Sequence, residues 1–292
     1  MRAKAGLHHC SAWLLEAGIM QNGRHPDKPY ILATGEKAVS RLDLLERIFG
    51  PATRHLLSAA GLCPGMRVAE IGCGIGLTAR WASTQVGPGG SVACVDQSSE
   101  QLHIAEKSAA EAGATNLSFL ERNAYETGLP RDSFDLVYSR FLLCHLAHPA
   151  KALAEMSALL KPGGILVCED HDDGGIFTEP ATHAYKRLVE ISDAMNRSQG
   201  LDSYIGLKLP RLFREAGFSQ PEEKVNQIAL SRGEEKRFWE LTLREAAPAI
   251  LAAHASTSEE LDAISEEMRR IAEDESIRLM LARVTQVWAR KP

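Results

Sequence analysis

Three glycines, at 72, 74 and 76, interrupt the apolar run VAEIGCGIGLTARWA (68–82), and an acid, Glu70, precedes the first of them by two residues. Glycines between a strand-like and a helix-like run let the backbone approach a nucleotide or nucleoside where a Cβ would clash. A dinucleotide fingerprint reads G-x-G-x-x-G, its third glycine allowing helix and strand to pack closely. Here that third position is Leu77 and the extra glycine is Gly76, which disfavours a nicotinamide-dependent dehydrogenase. Asp96 ends the next β-rich run, SVACVD (91–96). A carboxylate at that strand tip can accept hydrogen bonds from two ribose hydroxyls, or it can cap the helix start beside Ser98.

Two histidine clusters offer proton transfer. SRFLLCHLAHP (139–149) carries His145 and His148, and EDHDDGG (169–175) sets His171 among Asp170, Asp172 and Asp173. Imidazole titrates near neutrality, so it is the first candidate for a base when a nucleophile must lose a proton. Packing or helix capping is the competing role for His145, and substrate contact or a solvated turn for His171. A divalent ion wants oxygen ligands from separate segments, which neighbouring acids in one loop do not supply, so no metal is expected.

These residues need a scaffold, and the middle of the chain alternates β-rich runs with helical ones, the pattern of a parallel α/β sheet. The expected strands are 67–72, 91–96, 117–122, 134–140 and 164–170, apolar nearly throughout as strands covered on both faces should be. Two further strand-like runs lie at 223–230 and 280–290. Ser98 with Gln101, and Thr257 with Glu260, form capping-box patterns at helix starts. Residues 41–66 carry leucines at helical spacing around Gly50-Pro51, which predicts a pair of helices. The segments at 185–198, 207–218, 236–255 and 258–276 read as mainly helical.

The chain of 292 residues, 45% hydrophobic and 24% charged with a net charge of −5, is long enough for an elaborated globular core. No block of Lys and Arg is present to neutralise a run of phosphates, so the expected partner is a small molecule rather than nucleic acid. No run reaches membrane-spanning length and the first residues lack a cleavage pattern, so a cytoplasmic location is expected. The six cysteines are scattered singly without a C-x-x-C pair, as buried reduced thiols would be.

From Met66 to about Glu169 the chain resembles the class I S-adenosylmethionine-dependent methyltransferases of small-molecule type. The resemblance rests on VAEIGCGIG (68–76), VACVDQS (92–98), ERNAYETGLPRDSFDLVYSRFLLCHL (121–146) and LLKPGGILVCED (159–170), in that order, and on YILATGEKAVSRL (30–42) ahead of them. It implies a Rossmann-like, seven-stranded, mostly parallel sheet with helices on both faces, plus a mainly helical lid from the N-terminus and from insertions in the C-terminal half. The implied division is an N-terminal lid (1–45), a cofactor-binding core (46–170) and the rest of the core (171–292) with substrate caps at 171–209 and 234–278.

By the same resemblance S-adenosylmethionine is the cofactor. Gly72 and Gly74 take its amino-acid part, Glu70 its amino end and Asp96 its ribose; Gln97, Asn123 and Ala124 surround the adenine. Ser139 and Arg140 line the methionine and methyl region, Tyr30 covers the cofactor and Arg41 reaches its carboxylate. Many relatives carry Asp where Asn123 stands. His145 and His171 are the candidate catalytic residues for direct displacement of the methyl group onto O, N or C of an apolar or aromatic acceptor. Trp13, Phe177, Tyr185, Met195, Tyr204, Phe238 and Trp239 are candidates to roof the pocket. A family member running a cyclisation or rearrangement, or a non-catalytic cofactor-binding regulator, would share these motifs, and homodimerisation is left open.

Overall fold

A computed structural model describes residues 32–292. After a short 3-10 turn at Gly35–Ala38, helix α1 runs Val39–Ala60. The core then alternates β1 (Arg67–Ile71), α2 (Leu77–Val86), β2 (Ser91–Asp96), α3 (Ser99–Glu111), β3 (Leu117–Glu121), β4 (Phe134–Arg140), α4 (Pro149–Leu159) and β5 (Leu160–Asp172). Next come β6 (Phe177–Glu179), α5 (His183–Gln199), α6 (Leu209–Glu215), β7 (Glu222–Asn226), β8 (Ala229–Leu230), α7 (Phe238–Ala252), α8 (Ser258–Glu273), β9 (Arg278–Met280) and β10 (Arg283–Arg290).

Seven strands form the main sheet in the order β3-β2-β1-β4-β5-β10-β7, as the resemblance implied. β1 to β5 pair in parallel, and β10 runs antiparallel to both β5 and β7. Each strand-like run near the C-terminus breaks in two. Residues 223–230 divide between β7 in the main sheet and β8, and 280–290 between β10 and the end of β9. The short pieces join β6 in a second, antiparallel sheet, β6-β9-β8, that sequence reading missed. Runs of two or three residues carry too little periodicity to announce themselves.

At both predicted helix starts the N-cap bond forms, Ser98 Oγ accepting from the Gln101 N–H and Thr257 Oγ1 from that of Glu260, but at Ser98 the box does not close, because the Ser98 N–H goes to Asp96 Oδ1 and not to Gln101. The expected helix pair does not, because α1 is continuous through Pro51. Pro51 is exposed, so the Arg47 carbonyl deprived of a donor lies on the face that water reaches, and the helix tolerates the loss. The expected boundary at 45/46 falls inside this helix. At Gly50 an added Cβ would lie 2.2 Å from Glu46 Oε1, so the missing side chain makes room for that carboxylate.

Leu44, Ile48 and Phe49 of α1 pack into one apolar cluster with residues of α5, α7 and α8, including Leu188, Leu243 and Met268. The fully buried Lys236 gathers the chain around this group: Nζ donates to the carbonyls of Ser231, Asp274 and Ile277 at 3.3, 2.6 and 2.9 Å. Beneath it, Glu169 of β5 accepts from Thr53 Oγ1 (2.6 Å), Tyr138 Oη (2.6 Å) and Gln286 Nε2 (2.5 Å), uniting α1, β4, β5 and β10. Among the described residues no helix is long and apolar enough to cross a membrane. Replacing Glu169 by Ala strands three buried donors; urea unfolding should show a loss of about 3 kcal/mol.

Candidate active site

The strand order reverses between β1 and β4, and in an open α/β sheet that switch leaves a crevice beyond the carboxyl ends of the strands. A cavity of about 300 Å³ lies there. Its floor comes from the ends of β1, β2, β4 and β5, and its walls and roof from α1, α5 and α7.

The glycine loop forms one wall. Gly72, Gly74 and Gly76 all have positive φ, at 76°, 53° and 72°. A Cβ at Gly74 would meet nothing within 4 Å, so this stretch of backbone is bare, whereas at Gly76 it would come within 3.0 Å of Ala105 Cβ in α3. The two glycines therefore serve different ends, ligand approach and helix packing. Asp96 fastens the loop: Oδ2 accepts from the Gly74 N–H at 2.8 Å and Oδ1 from the Ser98 N–H at 2.9 Å. Capping is thus realised, and the carboxylate still lines the cavity, with burial raising its pKa.

Glu70 lies within β1 itself, paired with Cys94 and Tyr138 on either side, and is only 4% exposed. Burial lifts its carboxyl to about 8 despite the opposing charge of Arg140. Arg41 is equally buried and holds Glu245 Oε2 from Nε at 2.7 Å. Arg140 donates Nη2 to Glu46 (2.7 Å) and Nη1 to Thr53 Oγ1 (2.9 Å). Burial works against the Arg140 charge, but Tyr138, Glu46 and Glu169 carry its pKa above the usual value.

Glu70 Oε2, Arg41 Nη2, Thr78 Oγ1, Gln101 Oε1 and Trp239 Nε1 are buried without hydrogen-bond partners, and all five residues line this cavity. Such atoms cost free energy unless a bound molecule satisfies them. A carboxyl oxygen and a guanidinium nitrogen without partners in one cavity, with bare backbone between strand and helix, fit a zwitterionic amino acid joined to a nucleoside.

Of the other expected residues, Gln97 and Ala124 line the cavity, and two do not. Asn123 turns into its own loop, where Oδ1 accepts from the N–H groups of Tyr125 and Glu126 at 2.8 and 2.9 Å; its neighbour Arg122 is the wall residue instead. Ser139 is buried in the sheet against Cys168 Sγ at 3.3 Å, because successive side chains along β4 alternate faces and Arg140 takes the cavity side. Tyr30 and Trp13 lie outside the described residues. Met195, Phe238 and Trp239 reach the cavity wall; Phe177 is 49% exposed, Tyr185 packs in the helical core, and Tyr204 is not part of the wall.

Both candidate histidines line the cavity, in opposite electrostatic settings. Burial, with the nearby charges of His171 and Arg41, depresses His145 to about 3. Burial also opposes protonation of His171, but Asp173, its Oδ1 2.9 Å from Nδ1, outweighs it and lifts His171 to about 9. At neutral pH His145 is therefore the neutral imidazole and His171 the cation. His148 is exposed at the start of α4. Cys144, Asp170 and His171 bring ligand atoms within 4.8 Å of one another, but both Asp170 oxygens already accept backbone N–H groups of Leu143, Cys144 and His171.

Glu70 binds a proton when folded up to about pH 8 and releases it near its ordinary 4.5 when unfolded, so stability falls as pH rises between those values. Glu70→Gln abolishes that dependence. Thermal unfolding of the ligand-free protein should show the variant gaining nothing at pH 4.5 and about 3 kcal/mol or more above pH 8.

Residues 69–168 match a family described as "Methyltransferase domain". A demethylmenaquinone methyltransferase of Listeria welshimeri is 29% identical over 175 residues, covering 53% of this chain and 71% of that one. The aklanonic acid methyltransferase DauC of a Streptomyces is 34% identical over 116 residues, covering 40% and 53%. Among solved structures, the YcgJ protein from Bacillus subtilis superposes with a TM-score of 0.56 at 19% identity, over 82% of this chain and 99% of that one, a likeness of fold.

Proposed function

We propose that the chain, whose residues 69–168 match a methyltransferase domain, is a class I S-adenosylmethionine-dependent methyltransferase that methylates a small, apolar or aromatic acceptor. The carrying observation is that one cavity joins two unlike halves. The half at β1, β2 and the glycine loop is polar, with the unpaired atoms of Glu70, Thr78 and Gln101; the half under α5 and α7 is mainly apolar, its polar groups being His145, His171, Asp173, Ser192, Asn196, Thr242 and the Trp239 indole N–H.

In this reading Glu70 takes the ammonium and Arg41 the carboxylate of the methionine moiety. Gly72 and Gly74 lie along it, Asp96 accepts from the ribose, and Gln97, Arg122 and Ala124 frame the adenine. Asn123 and Ser139 are left out of the set on the geometry above. When bound, the cofactor supplies a methyl group on a cationic sulfur, which a nucleophile in line with it displaces.

The chain's own contribution is to hold both reactants at reacting distance and to keep water out. Leu188, Ile191 and Met195 of α5 with Phe238 and Trp239 of α7 supply that dry cover, so we assign residues 171–209 and 234–278 as the acceptor cap. The two relatives named for demethylmenaquinone and aklanonic acid support an aromatic acceptor. The absence of a Lys and Arg block favours a small molecule over nucleic acid, and the free cysteines among the described residues suit the reducing cytoplasm.

Turnover of an acceptor panel should form S-adenosylhomocysteine in step with methylated product; product without that conversion would sink the transfer reading. Asp96→Ala should weaken cofactor binding about 100-fold by calorimetry, since it removes both the ribose acceptor and the clasp on the Gly74 N–H.

A further inference from the structure

Resting on the methyltransferase reading, we propose that the acceptor is an acid bound as its anion at His171, a phenol, enol or carboxylic acid, and not an amine. The first observation is the ion pair between the part-buried His171 and the buried Asp173, Nδ1 to Oδ1 at 2.9 Å, in the acceptor half of the cavity.

The second is how firmly Asp173 is held. Its Oδ2 accepts from Ser192 Oγ of α5 at 3.1 Å and its N–H donates to the Ser203 carbonyl at 3.0 Å. Ser203 Oγ in turn accepts from Asn196 Nδ2, also of α5, at 2.9 Å. The carboxylate is therefore held beside Nδ1, which leaves Nε2 as the ring nitrogen for the acceptor. The helix that fixes it, α5, also lines the acceptor half with Ile191 and Met195, so the charged pair and the acceptor share one wall.

The third is that, among the described residues, the carboxylates around the acceptor half are engaged and do not greet a cation. Asp170 is consumed by backbone N–H groups, and Asp172 pairs with Arg283 of β10 at 2.6 Å. On α1, Arg41 acts on His145 as a further positive charge, and its partner Glu245 of α7 is committed to it. His145 stays neutral. An ammonium here would meet an imidazolium; an oxyanion would meet a charge-assisted donor.

In the transfer step a lone pair of the acceptor anion forms the bond to the methyl carbon as the carbon–sulfur bond breaks, its electron pair passing to sulfur. The acceptor's proton has already gone to solvent on ionisation, and His171 keeps its own. An O-methylated product carries no charge at that oxygen, so the ionic attraction to His171 ends with the reaction.

The test uses the full chain saturated with S-adenosylhomocysteine and titrated with 4-nitrophenol at about pH 6, where the free probe is largely protonated. The proposal expects the phenolate absorption band on binding, with affinity at least 10-fold above that for 4-nitroaniline. Asp173→Asn should abolish the band with S-adenosylhomocysteine affinity unchanged. Ser192→Ala, a gentler change, should weaken it. A probe bound as the neutral phenol, or no preference over 4-nitroaniline, overturns the proposal. Loss of S-adenosylhomocysteine binding would instead remove the cofactor reading, and the probe titration can be read without it.

Discussion

A single buried carboxylate carries much of this architecture. Glu169 receives hydrogen bonds from a helix and two neighbouring strands, and Thr53, one of its donors, also accepts from Arg140. Arg140 in turn reaches Glu46, which is held by Arg54 at 2.7 Å near the surface. The chain of contacts runs from β10 across the sheet and out along α1. A fully satisfied polar network of this kind fixes one arrangement, because any slip leaves a buried group unpaired. The position of α1 over the sheet is set this way, and with it the placement of Arg41 earlier in the same helix.

In the methyltransferase reading proposed above, that placement lets one cavity serve two reactants of different character. α1 lends its buried polar positions to the methionine-like end and its apolar ones, Leu45 and Phe49, to the acceptor end. Phe49 meets Phe141 edge-on at 5.0 Å and Phe238 at 6.3 Å, and Phe141 lies 5.8 Å from His171. The aromatic contacts thus continue from the helical cap to the imidazole. The floor is rigid sheet and the roof is helix, a division that lets chemistry stay fixed while acceptor shape is adjusted overhead.

Much of this was legible in the residues themselves. The glycine spacing, Asp96 and the apolar strand runs gave the sheet and the cofactor crevice, because each depends on local backbone geometry that a short motif encodes. Side-chain direction was less legible. Asn123 and Ser139 occupy motif positions yet face away, one captured by its own loop and the other by the alternation of β4. The partners that set the histidines apart come from remote segments, so neither their opposite charge states nor the unpaired Trp239 Nε1 could be read from spacing. Pro51 misled for the opposite reason: a helix-breaking signal was overridden by the contacts α1 makes along its length.

Lys236 has a consequence for how such a protein can change. Its ammonium seats α7 by holding three carbonyls from segments flanking α7 and α8, none of them facing the cavity. The anchor of that helix is thus physically separate from its cavity-facing side, Trp239, Thr242 and Ala246. Substitutions on that side reshape the cavity without touching what keeps the helix in place. Pocket shape and foldedness are uncoupled at this wall, leaving it free to drift while the fold stays intact.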